Sequence, residues 1–236
     1  MMHSQLVSIP TLEPDDRESM YRLLEHHFSG VTAITFASDL ASKNWVLLIK
    51  NKAGQLNGFS TLQLYDVTVK GEVFSVVYSG DTIVDPTAWS SATLPRAWIQ
   101  AINRLRHPDK RLFWLLISSG FRTYRLLPTF WQTFYPRYDQ PTPEPMQQLM
   151  DYLAQQQFGS AYDQEAGIVR FAQPQKLSPI LGTVPPERQS DPHIHFFEQT
   201  NPAHAQGDEL VCLTEICPDN LTAAGRRMWF SRSLAA

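Results

Sequence analysis

Two stretches constrain this chain most. Val73-Phe74-Ser75-Val76-Val77-Tyr78 is an apolar, β-branched run, and Leu112-Phe113-Trp114-Leu115-Leu116-Ile117 is apolar without interruption. The second lacks the polar alternation of a strand with one wet face and reads as a strand buried on both sides. Between them Leu94, Trp98, Ile99, Ile102 and Leu105 recur near a 3.6-residue period, with Pro95 in the first turn and Pro108 past the end. Phe121 to Tyr135 continues as a helical pattern kinked at Pro128. Strand, helix, strand and helix make a βαβα unit over Glu72–Arg137. The free N–H groups at the start of its first helix form a candidate anion site.

The flanking segments suggest an α+β order. Pro14 to Phe28 predicts a helix, with Asp15 and Asp16 in the first turn and Gly30 as its stop. His26 and His27 fit a solvated last turn. Val31 to Phe36 predicts a short strand, Ser38 to Lys43 a helical turn, and Trp45 to Lys50 a strand. Asn51-Lys52-Ala53-Gly54 turns the chain back into a long strand over Gln55 to Val69. Further on, four prolines in 136–145 mark an extended link, and Pro145 to Gln157 a polar helix. Strands are expected at Glu165–Ala172, His193–Glu198 and Glu209–Ile216, and a long loop or lid at 173–192. Arg226, Arg227 and Arg232 belong to an expected surface tail. One domain over 1–236 accommodates all of this, with a core at about 10–137 and an extension over 138–236.

Charge and composition exclude several classes. A net charge of −3 gives no basic field for nucleic acid, and no run of Lys and Arg suggests a membrane surface. No apolar stretch approaches the ~20 residues of a membrane span, and the first residues lack the apolar core of a signal peptide. Cys212 and Cys217 are too few for a disulfide framework, so a reduced, cytoplasmic setting is expected.

A helical start, a meander of strands, a strand ending in Val84-Asp85-Pro86 and then a helix start resemble the GNAT superfamily of acyl-CoA N-acyltransferases, over about residues 10–135. The resemblance implies a mixed central sheet flanked by helices, with the extension completing the sheet and covering the acceptor side. It implies loop amides that hold the coenzyme A pyrophosphate, and a pantetheine arm between two strands splayed by a bulge. Ser79-Gly80-Asp81 suits such a bulge, because glycine permits unusual backbone angles. Ser119 to Arg137 is similar to a segment of bacterial proteins of this superfamily.

The chain departs from the family in the pyrophosphate loop. Trp89-Ser90-Ser91-Ala92-Thr93-Leu94 has no glycine, Trp89 replaces the usual Arg or Gln, and Leu94 crowds the site. Two alternatives follow: a donor carried differently, such as an acyl group on a carrier protein, or a scaffold that has lost acyl transfer.

By the resemblance, Asp81 or Glu72 is the base that neutralises an amine and Tyr124 the acid for the departing thiolate. Val84, Ser90, Ser91, Ala92 and Thr93, with Arg96, form the anion cradle. Arg122 and Arg125 share a helix face and suit phosphates or an acidic carrier protein, or else ion pairs with Asp81, Asp85 or Glu72. His193 and His195 alternate on their expected strand, but without a defined third ligand no metal site is expected. The aromatic wealth of 113–138 is core first and would also suit a tunnel for a long acyl chain. The function expected is N-acyl transfer to an amine, small molecule or peptide. Its co-substrate is an acyl-CoA or acyl-carrier-protein thioester, and no cofactor is held permanently. A non-catalytic ligand-binding or interaction module on the same scaffold is the rival.

Overall fold

The computed structural model describes residues 2–88 and 92–231. The chain opens with β1 (His3–Ser8), then α1 (Pro14–His27), β2 (Phe28–Ser29) and α2 (Ala33–Ala41). The meander is β3 (Trp45–Lys50), β4 (Leu56–Val69) and β5 (Glu72–Val84). Next come α3 (Thr93–Leu105), β6 (Leu112–Ser118), and the short helices α4 (Phe121–Tyr124) and α5 (Leu126–Phe130). The C-terminal part holds α6 (Glu144–Phe158), β7 (Tyr162–Asp163), β8 (Ile168–Val169), β9 (Lys176–Leu177) and α7 (Pro179–Gly182). It closes with α8 (Pro192–Thr200), β10 (Glu209–Glu215) and α9 (Ala223–Trp229).

Eight strands form one mixed sheet in the order β1-β3-β4-β5-β6-β10-β8-β7. All its neighbouring pairs are antiparallel except β5 and β6, which run parallel because α3 carries the chain back across the sheet. All seven residues of β6 are buried, as its unbroken apolar run requires. Alternation then sends Trp114 and Leu116 to one face and Phe113 and Leu115 to the other. The first face meets Trp98, Ile99 and Ile102 of α3, together with Phe130 of α5, Phe197 of α8 and Trp229 of α9. The second is covered by Met150 and Leu153 of α6, and farther along by Met20, Leu24, Phe36 and Leu40 of α1 and α2.

Tertiary packing overrides local propensity in four places. The expected strand at Val31–Phe36 is the start of α2: Thr32 caps it by accepting from the Thr35 N–H at 3.1 Å, and Phe36 and Leu40 bury one turn apart. The expected strand at His193–Glu198 is α8, where the Asp191 side chain accepts from the His193 N–H at 3.0 Å, Pro192 takes the first helical position, and Ile194 and Phe197 face the core. The expected surface tail contains α9, capped by Thr222 and anchored by Trp229 at 6% exposure. Phe121–Tyr135 is two short helices followed by an extended segment, in which Tyr135 exchanges backbone hydrogen bonds of 2.9 and 2.8 Å with Leu213 of β10. Asn220 holds that segment through the Thr133 N–H and carbonyl, at 2.8 and 2.9 Å. His27, expected in a solvated turn, is buried with its Nε2 3.5 Å from Asp85.

Candidate active site

Pairing between β5 and β6 stops at Ser79 opposite Leu116. Against β4, Thr82 lies opposite Ser60 and Ser79 opposite Leu62, so Gly80 and Asp81 share the single residue Thr61. This is a β-bulge at the position expected from sequence, and it bends β5 away from β6. A Cβ at Gly80 would stand 2.6 Å from Lys43 Cε and 2.7 Å from Thr61 Oγ1, so a larger residue there would have to displace those side chains.

The gap between the splayed strands leads into a cavity of about 790 Å³. Its inner wall is aromatic, with the Trp98 and Trp114 rings 4.5 Å apart and those of Trp114 and Trp131 4.9 Å apart. Ser79 Oγ, just before the bulge, accepts from Trp98 Nε1 at 3.2 Å and from Trp114 Nε1 at 2.9 Å. One side of the cavity is closed by the segment expected as a lid, through Leu177, Leu181 and Pro185. The rim carries Arg122, Arg125, Glu187 and Arg188. Arg125 pairs with Asp191 at 3.1 Å, and Arg122 lies over the Phe121 ring at 4.5 Å. Burial, and then the charge of Arg188, make the Arg122 guanidinium less favourable, with Glu187 opposing. A half-buried Arg122 beside an exposed Arg188 suits an anionic group of a ligand.

On the sheet face toward α2, charged groups gather around the bulge. Lys43, its side chain 1% exposed, bonds Asp39 Oδ1 at 2.6 Å and Ser42 Oγ at 2.8 Å, and its ammonium lies 5.3 Å from the Tyr78 ring centre. Burial raises the Asp81 carboxyl to about 7, the charge of Asp39 adds to this, and Lys43 acts against it. Glu209, at the start of β10, is raised to about 8 by burial and by Asp81 and Asp39. A carboxyl poised near neutrality can take a proton from an ammonium without being held as a permanent ion. A second cavity, of about 520 Å³, shares Ser119 and Leu177 with the first and carries Glu198 and His204.

The other sequence candidates fall differently. Glu72 is a correction: it sits at the opposite end of β5, roughly 26 Å from the bulge at strand rise, and pairs with the surface Arg111 at 3.3 Å. Tyr124 is a second: its side chain is fully buried, its hydroxyl donates to the Pro136 carbonyl at 3.0 Å, and burial pushes the phenol far above its ordinary range. Arg125, for which ion pairs with Asp81, Asp85 or Glu72 were the alternative, pairs instead with Asp191 from α8. His193 and His195 point to different sides of a helix, two residues and ~200° apart, and His193 packs against Tyr138 and Phe134. Val84 lines the cavity; Ala92 and Arg96 are exposed at the start of α3; Thr93 opens that helix. Ser90 and Ser91 lie outside the described residues. Sequence reasoning missed Glu209, Arg188 and Ser79. Only the polar Ser79 inside an apolar strand gave any signal.

Among the described residues, the start of α3 turns apolar side chains toward the cavity. Leu94 and Pro95 are its cavity-lining residues, Pro95 has no N–H to offer, and the Arg96 N–H bonds the Ala92 carbonyl at 3.1 Å. Across the cavity, Arg122 and Arg188 supply the cationic chemistry that an anionic donor needs.

A mixed sheet, a bulge that splays β5 from β6 and a helical crossover between them make an α+β fold, the arrangement that the resemblance seen in the sequence implies. No family model matches the chain, and no curated protein matches it in sequence. Solved structures overlay on part of it. A conserved protein from Enterococcus faecalis V583, described as a probable N-acyltransferase, is 14% identical over 56% of this chain and 33% of its own, with a TM-score of 0.42. The GNAT-family N-acetyltransferase YhbS from Escherichia coli, in complex with CoA, is 15% identical over 55% of this chain and 69% of its own, TM-score 0.38. The N-myristoyltransferase of Saccharomyces cerevisiae with bound myristoyl-CoA is 18% identical over 50% of this chain and 29% of its own, TM-score 0.40. The chain thus spans about a third of the Enterococcus protein's length and less of the yeast enzyme's.

Proposed function

We propose that this protein transfers an acyl group from a thioester to an amine, by direct attack where the gap between β5 and β6 opens at the Gly80–Asp81 bulge. The observation that carries this is the bulge itself. It opens an apolar cavity on one side and places, toward the other face, a carboxyl whose pKa lies near 7. Asp81 takes a proton from the incoming ammonium, the neutral amine nitrogen bonds the thioester carbon, the C–S bond breaks with its electron pair going to sulfur, and the second proton shed by the new amide nitrogen passes to the departing thiolate or to solvent. A thiol has an ordinary pKa of about 8.5, so the thiolate leaves near neutral pH without a strong acid, and the burial of Tyr124 is no obstacle.

Arg122 and Arg188 are assigned to the phosphate of the donor's pantetheine arm, whether on coenzyme A or on an acyl-carrier protein. The tryptophan wall favours an acyl group longer than acetyl. Asp81 and Glu209, carboxyls that can take up a proton near neutral pH, favour an acceptor that arrives as an ammonium. The rival, a binding module without chemistry, draws on Leu94 and Pro95 at the α3 start. The test is release of free thiol from acetyl-, octanoyl- and palmitoyl-CoA and from an acyl-carrier protein, with a panel of di- and polyamines. Amine-dependent release that Asp81→Asn lowers at least a hundredfold is expected, on the scale of general-base catalysis. Binding of a thioester without release for any amine would favour the module, and a rate indifferent to Asp81→Asn would remove the mechanism.

A further inference from the structure

Three oxygen-bearing side chains at the bulge have nothing to bond. Tyr78, two residues before Gly80, is 5% exposed, and its hydroxyl makes no hydrogen bond among the described residues. Its ring packs 5.5 Å from that of Phe158, and the Lys43 ammonium lies 5.3 Å from its centre. Lys43 bonds Asp39 and Ser42 and stands against Gly80, so the phenol belongs with the charged groups of the bulge. Burial, and then the charges of Asp39, Glu209 and Asp81, hold the Tyr78 phenol well above its ordinary range, so it is a neutral hydroxyl facing these three carboxyls. The side chains of Asp81 and Glu209 also make no hydrogen bond or ion pair among the described residues. Both residues are partly exposed, so the cluster opens to solvent.

Register brings Glu209 to this place. Leu210 lies opposite Ser118, which sets Glu209 beside the end of β6, on the face of Val211 and Leu213 that also buries Tyr78. Asp81 flanks β6 from β5, so the two carboxyls start from backbones two strand spacings apart, about 10 Å. Lys43 is committed to Asp39, which leaves Glu209 without a countercharge. Burial and its acidic neighbours raise Glu209 to about 8, and a cation placed beside it acts in the opposite direction.

We propose that the acceptor is a diamine: its reacting nitrogen meets Asp81, and a second ammonium, a short chain away, donates to the Glu209 carboxylate and the Tyr78 hydroxyl. This rests on the proposed N-acyl transfer and narrows its acceptor class. A primary ammonium carries three N–H donors and no acceptor, so carboxylate and phenol oxygens are the partners it needs. A monoamine of equal length reaches Asp81 and leaves Glu209 and Tyr78 unmet.

The test is steady-state transfer by the full chain, from the most active thioester of the donor panel, to ethylenediamine, putrescine and hexamethylenediamine and to the monoamines of equal length. At least one diamine is expected to show a kcat/KM about tenfold or more above its monoamine, on the scale of a hydrogen bond to a charged group. Glu209→Gln and Tyr78→Phe should each cut that preference to under about threefold, by raising KM for the diamine rather than lowering kcat. Tyr78→Phe keeps the ring beside Phe158 and Lys43, so it separates the lost hydroxyl from disturbed packing. Glu72→Gln, at the far end of β5, should keep the full preference. Monoamines used as well as every diamine overturn the proposal without a variant, as does a preference that survives either Glu209→Gln or Tyr78→Phe. Transfer to both kinds of amine without preference removes this inference alone, whereas failure of every amine with every thioester removes the acyl-transfer function with it.

Discussion

Asp81 lies beside Gly80 at the bulge, and its surroundings rather than its identity give it chemistry. Burial and Asp39 disfavour its charged form in the folded chain, so the folded protein holds that proton more tightly than the unfolded one. The stability that this group contributes is therefore greatest below the ordinary carboxyl range. It declines as pH rises through about 7, and Glu209 extends the decline to about 8. Asp81→Asn should flatten the first part of that decline in a series of thermal melts between pH 4 and 9. Acyl transfer by the wild type should rise through about pH 7 as the base loses its proton, and the variant should lose that limb. Glu72 is the contrast. Its exposed pair with Arg111 contributes no more than about 1 kcal/mol, so Glu72→Gln should leave both the urea midpoint and transfer rates close to wild type.

At the scale of elements, the cavity depends on one irregularity in β5. Gly80→Val would drive a side chain into Lys43 Cε and Thr61 Oγ1, displacing an ammonium held by Asp39. Overpacking of this kind costs about 1–3 kcal/mol. The expected outcome is a lower urea midpoint together with loss of thioester binding, since the strand must shift where it parts from β6. A variant that bound thioesters as tightly as the wild type would argue that the gap does not depend on the bulge. The βαβ unit and the bulge were legible because they rest on local signals: an apolar run, a 3.6-residue period and a glycine within a strand. Helices α2 and α8 were not. Ile34-Thr35-Phe36 and His193-Ile194-His195 are short enough to read as strands, and what decides them is a cap at Thr32 or Asp191 together with a buried face contributed by distant strands.

At the scale of the whole molecule, the C-terminal part completes what the first 137 residues begin. β10 extends the sheet beside β6, α9 packs against α3 and α5, and the segment carrying α7 brings Leu181 and Arg188 over the cavity. Arg188 and Arg122 reach one rim from parts of the chain 66 positions apart. Arg188→Ala should raise the KM for CoA esters about tenfold with kcat little changed, the loss of one charge-assisted contact being worth about 1.5–3 kcal/mol. The wild-type KM should rise with salt more steeply than the variant's. An unchanged KM and salt slope would place the donor phosphate elsewhere.

The sequence by itself determined the strands at Val73–Tyr78 and Leu112–Ile117, the crossover helix between them and the bulge at Gly80, because hydrophobic period and glycine act over a few residues. It also marked Asp81 as a candidate base. Only the tertiary structure decided that Glu72 and Tyr124 stand apart from the cavity, that Ser79 joins two indoles, and that Glu209 and Arg188 join the site. Those facts depend on which residues, far apart along the chain, come to share one buried volume and on what that burial does to their charges and hydrogen bonds.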